Sequence, residues 1–215
     1  MVVLDGRPKH EYFKMSIPSA RSCPNAELAY RIPALAIDPE TTLVINCAGR
    51  TRSIIGAETL RQCGFSNPIL ALRNGTQGWA LGGFTLDHGI HSEPLPLIDS
   101  KARVQAAKSA KNLITRLALP QISSETLKKW EKDPKRTTYI FDVRTEEEFA
   151  ACHWPGAQHA PGGQLVQATD QYLAVRNARI VLCDDTGLRA ATTAMWPVSY
   201  THLRAHETPE HRVWR

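Results

Sequence analysis

Seven consecutive residues carry the densest chemistry in this sequence: Cys47-Ala48-Gly49-Arg50-Thr51-Arg52-Ser53. They follow the apolar run Leu43-Val44-Ile45-Asn46 and precede a stretch with helical spacing. A cysteine at the end of a buried strand, followed by a tight turn into a helix, is surrounded by backbone N–H groups directed at its sulfur. Such a nest, with the helix dipole behind it, stabilises an anion. Gly49 permits the turn, and Arg50 and Arg52 place positive charge where an anionic substrate would approach. A thiolate held there is a nucleophile suited to an anionic electrophile. The competing reading, a cysteine that only fills space at a strand end, leaves two arginines in the loop without a purpose.

A second cysteine loop looks similar at first sight. Cys183-Asp184-Asp185-Thr186-Gly187-Leu188-Arg189 has the Cys-x5-Arg spacing of a cysteine phosphatase. An internal repeat decides how to read it. Shifted by 137 residues, the chain aligns Val3-Leu4-Asp5-Gly6-Arg7 with Ile140-Phe141-Asp142-Val143-Arg144, and the register holds without a gap through Glu11 and Glu148, Pro18 and Pro155, Val44 and Val181. With Arg189 opposite Arg52, the residue opposite Cys47 is Asp184, and Cys183 falls opposite Asn46, inside a strand. Two carboxylates in that loop would repel an anionic substrate and disfavour a nearby thiolate. The second loop is therefore expected to be catalytically silent.

The elements that must position these loops are the same in each copy. An apolar run ending in Asp-x-Arg (Val2–Leu4; Tyr139–Phe141) reads as a buried parallel strand, followed by a short helix (Pro8–Met15; Glu146–Ala151). Then come a Pro-containing turn and a helical stretch (Asn25–Leu35; Gln164–Leu173). A second buried strand (Thr42–Asn46; Arg179–Cys183) and another helix (Ser53–Cys63; Ala190–Trp196) complete the pattern. Alternating strands and helices imply an α/β fold with a mostly parallel sheet in each of two domains, and chemistry at the carboxyl ends of the strands.

The loop Cys47–Ser53 resembles the active-site loop of rhodanese-like sulfurtransferases. Leu4-Asp5-Gly6-Arg7-Pro8-x-x-Glu11-Tyr12, the Ile17-Pro18-Ser19-Ala20 turn and Leu72-Arg73-Asn74-Gly75-Thr76-Gln77-Gly78-Trp79 agree with it. The resemblance implies that Cys47 accepts a sulfane sulfur from thiosulfate or a persulfide, holds it as a persulfide, and passes it to cyanide or another thiophile. It implies a persulfide cradle made of Ala48, Gly49, Arg50, Thr51 and Arg52, with Arg50 and Arg52 attracting the anion. Asp5 and Arg7 would be supporting charges at the same strand ends, with Glu11 a partner for Arg7. Rhodanese loops place four residues between Cys and the closing Arg where related phosphatases place five. The first copy has four. Asp184 and Arg189 would form a degenerate second site, and a non-catalytic binding module is the alternative for a chain of this kind.

Composition narrows the setting. The chain has 215 residues, 26 Lys+Arg and 21 Asp+Glu, an ordinary globular balance with a net charge of +5. Ten basic against four acidic residues lie between Ile98 and Arg136, so the positive charge sits in one stretch and the rest is near neutral. Its part Asp99–Leu117 has helical spacing and no aromatics among its lysines, so it reads as a solvated amphipathic connector and no nucleic-acid partner is expected. No apolar run approaches a membrane span, no leader is visible, and five cysteines at irregular spacing read as reduced thiols in a cytoplasm. No cofactor is expected. His202 and His206 have helical metal-ligand spacing but no supporting pattern, so no metal is expected either. Of the other thiols, Cys23 is the one that could resolve a persulfide. The expected organisation is a first domain over 1–87 without its opening strand, a basic linker over 88–120, a second domain over 121–196 without its closing half, and a tail. Residues 197–215 resemble the conceptual translation of sequencing-adapter DNA, and the whole resembles a window cut from a longer tandem array.

Overall fold

The computed structural model describes residues 1–35, 37–201 and 211–214, with 197–201 and 211–214 as backbone alone. The chain divides into two compact units, Met1–Ala102 and Arg103–Arg215. In the first, β1 (Val2–Asp5) leads through α1 (Lys9–Lys14), β2 (Arg21–Ser22) and α2 (Asn25–Arg31) to β3 (Leu43–Asn46). Then follow α3 (Thr51–Gln62), β4 (Ile69–Ala71) and α4 (Gly75–Leu81). The helical stretch expected over Asn25–Leu35 is α-helical only to Arg31 and becomes a 3-10 turn over Ile32–Leu35. Pro33 is the cause, since it has no N–H to continue the α-helical bonding.

The sheet order is β2-β1-β3-β4, and every pairing is parallel. Parallel strands covered by helices on both faces must be apolar throughout, which is why β3 is buried along its whole length. Leu4, Leu28, Leu43, Ile45 and Leu60 are fully buried around it. The register puts Asp5 of β1 opposite Asn46 of β3, so the two strands end side by side and the loop after Asn46 starts at the sheet's carboxyl edge.

The helix α5 (Ser100–Arg116) begins in the first unit and lies mostly in the second, which goes on with α6 (Ser124–Glu131), β5 (Thr138–Asp142), α7 (Glu146–Ala151) and β6 (Gln158–His159). The second unit continues through α8 (Gly162–Gln167), α9 (Thr169–Tyr172), β7 (Arg179–Cys183), α10 (Leu188–Thr201) and β8 (His211–Trp214). Its sheet, β6-β5-β7-β8, is also parallel throughout. The 137-residue offset places β2 on β6 and α1 on α7 residue for residue. Ser123 caps α6, its side chain accepting from the Thr126 N–H.

The basic stretch is an amphipathic helix, as its spacing implies: α5 exposes its lysines and buries Ala106, Ala110, Leu113 and Ile114. Apolar spacing of three and four gives a helix a face to bury. The second copy, expected to stop at Trp196 without a closing strand, carries α10 to Thr201, and β8 pairs with β7 on the side that β4 takes beside β3. A shift of 137 from β4 would fall at 206–208, so β8 keeps the place but not the register. The open edge of β7 accepts the short β-prone segment His-Arg-Val-Trp.

Candidate functional site

Cys47 is the first residue after β3 and is only 1% exposed. Its position is fixed from three sides. Beneath it, the Asn46 side-chain amide donates to Asp5 Oδ2 at 2.9 Å and to Thr76 Oγ1 at 3.0 Å. Beside it, the start of α4 is laced to the loop backbone. The Thr76 N–H and hydroxyl both donate to the Cys47 carbonyl, at 2.8 and 3.2 Å, and the Gln77 N–H donates to the Ala48 carbonyl at 2.9 Å. This approach requires glycine at position 75: its φ is +53°, and a Cβ there would stand 2.1 Å from the Cys47 carbonyl oxygen. Behind it, Thr51 opens α3, so the loop runs straight into a twelve-residue helix.

The two loop arginines have different fates. Arg52 points to Glu11 on α1 and makes a bidentate bridge at 2.6 and 2.7 Å, while its carbonyl accepts from the Asn25 side chain at 2.8 Å. Burial works against the Arg52 charge, but the Glu11 hydrogen bond and charge outweigh it and hold the guanidinium above its ordinary value. The same hydrogen bond, against the opposing effect of burial, pulls the Glu11 carboxyl down. Arg52 is thus a clasp between α1 and α3, with its charge already balanced. Arg50 is exposed and has no carboxylate partner among the described residues, so it is the loop's uncommitted positive charge. Glu11, expected beside Arg7, is taken by Arg52. Arg7 instead forks onto Asp5 at 2.9 and 2.7 Å and donates to the Met15 carbonyl, tying β1 to the end of α1.

The second unit repeats this frame with different contents. Arg144 forks onto Asp142, as Arg7 does onto Asp5, and Arg189 meets Glu148 at 2.5 Å, as Arg52 meets Glu11. At the position of Cys47 stands Asp184, buried, with its two carboxylate oxygens accepting from the backbone N–H groups of Gly187 at 2.6 Å and Arg189 at 3.0 Å. The loop has closed on its own anion. Desolvation pushes the Asp184 carboxyl up to about 6, against the pull of Arg189. Cys183 is the last residue of β7, buried, and paired across the sheet with Asp142. Burial first, then the Asp142 and Asp184 charges, push its thiol up to about 12. A strand thiol in that setting is poorly suited to the nucleophilic role that Cys-x5-Arg spacing would announce.

All five cysteines are free thiols. Cys23 is buried at the carboxyl end of the sheet, where desolvation, followed by the Glu27 charge, pushes its thiol well above the ordinary range, so it is poorly suited to resolve a persulfide. Among the described residues no group of three His, Cys, Asp or Glu side chains could hold a metal ion, and no helix is long and apolar enough to cross a membrane. His202 and His206 lie outside the described residues. Three parts of the site escaped the sequence reading: the Glu11–Arg52 clasp, the Asn46–Asp5 bond and the Thr76–Gln77 edge. The first had a visible signal, since Glu11 and Arg52 recur as Glu148 and Arg189 at one offset. The others join residues 29 or more apart and leave no local pattern.

Comparison with known proteins agrees with this geometry. The sequence model of the Rhodanese-like domain family matches residues 1–81 and 123–207. A crystal structure of a thiosulfate sulfurtransferase from Pseudomonas aeruginosa is 44% identical, with a TM-score of 0.91. The match covers 99% of this chain and 39% of that one. This chain therefore spans about two fifths of that protein's length. A Rhodanese_3-like domain from Anabaena is 22% identical over 43% of this chain and 96% of its own, with a TM-score of 0.38. SseA from Escherichia coli, a 3-mercaptopyruvate sulfotransferase with the rhodanese fold, is 16% identical over 99% of this chain and 90% of its own, with a TM-score of 0.34. The last two overlay too loosely to carry an argument. Among curated proteins no match is found.

Proposed function

The chain belongs to the rhodanese-like domain family, and from that premise we propose that it is a sulfurtransferase acting through Cys47. The observation that carries the reading is the contrast at one register position. Cys47 follows β3 in a loop that precedes a long helix, while Asp184 fills the same position in the second unit with a carboxylate bound to its own loop. In the first unit that position is held by a sulfur nucleophile and left to an incoming anion.

The reaction follows from the residues. The Cys47 thiolate attacks the outer, sulfane sulfur of thiosulfate; a sulfur–sulfur bond forms to Cys47, the bond to the sulfonate sulfur breaks, and sulfite leaves with the electron pair. The negative charge is then on the terminal sulfur of the Cys47 persulfide, cradled by the backbone of residues 48–52. A thiophilic acceptor, cyanide in vitro, attacks that terminal sulfur, leaves as thiocyanate, and returns the thiolate. Arg50 draws the anionic donor to the loop mouth, and Arg52, balanced by Glu11, holds the loop to α1. Asp5, Arg7, Asn46 and Thr76 position the strand end. A small persulfide, or one carried on a protein, would react by the same displacement. No cofactor takes part, and the second unit is a silent copy.

The test is thiocyanate formation from thiosulfate and cyanide by the whole chain. Turnover that disappears in Cys47→Ser and persists in Cys183→Ser supports the reading. Turnover equal in wild type and Cys47→Ser, or none from folded wild type, overturns it.

A further inference from the structure

Resting on that reading, we propose that Gln77 is a donor-contacting residue: its side-chain amide binds a sulfonate oxygen of thiosulfate at the mouth of the Cys47 loop. Gln77 belongs to the segment that is laced to the loop. Its N–H donates to the Ala48 carbonyl at 2.9 Å, and the N–H of its neighbour Thr76 donates to the Cys47 carbonyl at 2.8 Å. The glycine at 75 lets this backbone come so close that nothing larger would fit between it and Cys47. The backbone of Gln77 is therefore fixed relative to the nucleophile to within a hydrogen bond.

Its side chain turns back over the same loop. A Cβ placed on Gly49 would have one heavy atom within 4 Å outside its own neighbours, the Gln77 Oε1 at 3.5 Å. The space above Gly49 is thus open except for this carboxamide. The side chain is exposed, and among the described residues it makes no hydrogen bond and no ion pair. An uncommitted amide poised over an anion-binding loop has one NH2 group to donate. The donor's chemistry suits it. Thiosulfate reaches Cys47 with its sulfane sulfur inward, so its three sulfonate oxygens remain at the mouth, where Gly49 and Gln77 lie. The amide supplies a neutral hydrogen bond to an oxygen that stays charged through the reaction, because sulfite departs as an anion. Bonding that is equal before and during the displacement affects binding of the donor more than the chemical step.

Steady-state kinetics of sulfur transfer separate this role from a structural one. Gln77→Met keeps the length and removes the donor; it should raise the KM for thiosulfate about tenfold, with kcat within about twofold of wild type. Gln77→Glu sets a carboxylate against a dianion and should raise KM further, whereas Gln77→Lys, which restores a donor, should return it to near the wild-type value. Melting temperatures of all three should match wild type, because the carboxamide is exposed and unbonded. An active wild type with KM unchanged in Gln77→Met and Gln77→Glu overturns the inference while leaving Cys47 chemistry intact. A loss in kcat alone, or no rescue by lysine, also overturns it. A folded wild type without turnover removes the reading on which it rests.

Discussion

The loops at Cys47–Arg52 and Asp184–Arg189 are one frame with two contents. Both begin where a buried strand ends, both close with an arginine held by a glutamate on the preceding short helix, and both sit beside an Asp-x-Arg fork. In the first, the central position is a thiol and the free charge on the loop is a cation, Arg50. In the second, the central position is a carboxylate already bonded to two loop N–H groups, and the residue beside it is a second acid, Asp185, engaged by Arg189 and Arg103. The two units share the frame and differ in what fills it. A cradle for an anion works on a substrate only when the chain does not fill it itself.

The comparison breaks most visibly at the closing arginines. Arg189 is fully buried between Glu148 and Asp185, whereas Arg52 is 13% exposed and, among the described residues, bridges to Glu11 alone. Arg189→Gln removes the bridges to Glu148 and Asp185, leaving Asp185 its longer bridge to Arg103, and should cost about 3–5 kcal/mol of second-unit stability, while Arg52→Gln should cost the first unit about 1–2 kcal/mol. Chemical denaturation followed by a probe in each unit measures both. Equal losses would mean that the two clasps are equivalent and that Asp185 adds nothing.

A smaller effect separates the carboxylates by pH. Glu11 is held below its ordinary value by Arg52, so the stability it contributes is present at neutral pH and lost as pH falls through its folded value. Asp184 behaves oppositely. Burial pushes it up to about 6 from 3.8, the folded state holds its proton more tightly than the unfolded chain does, and stability falls as pH rises between those values. Asp184→Asn removes the charge and should gain about 2–3 kcal/mol relative to wild type on going from pH 4 to pH 8. A pH-independent difference between the two proteins would mean that the loop N–H groups fully compensate the burial.

Much of the frame is legible in the amino-acid order itself. The 137-residue offset places Asp184 on Cys47 and Cys183 in a strand, because a parallel strand with both faces covered leaves an unbroken apolar run that aligns only one way. The role of Arg52 is not legible there. Two arginines two residues apart look alike in a sequence, and only the position of α1 shows that Glu11 takes one and leaves the other. Gln77 is likewise one letter in a glycine-rich motif, and it gains meaning only because β4 and α4 fold back over the loop. The β8 strand differs again: it pairs by the open edge of β7, away from the register that the repeat would assign.

The central claim is that sulfur is held at Cys47 and nowhere else. Intact-mass and peptide mass spectrometry after brief exposure to thiosulfate, without acceptor, tests it directly. The account predicts one added sulfur, about 32 Da, on the peptide containing Cys47, absent in Cys47→Ser and discharged by cyanide. The same mass on the Cys183 peptide, or on the Cys23 peptide with Cys47 unmodified, would contradict it.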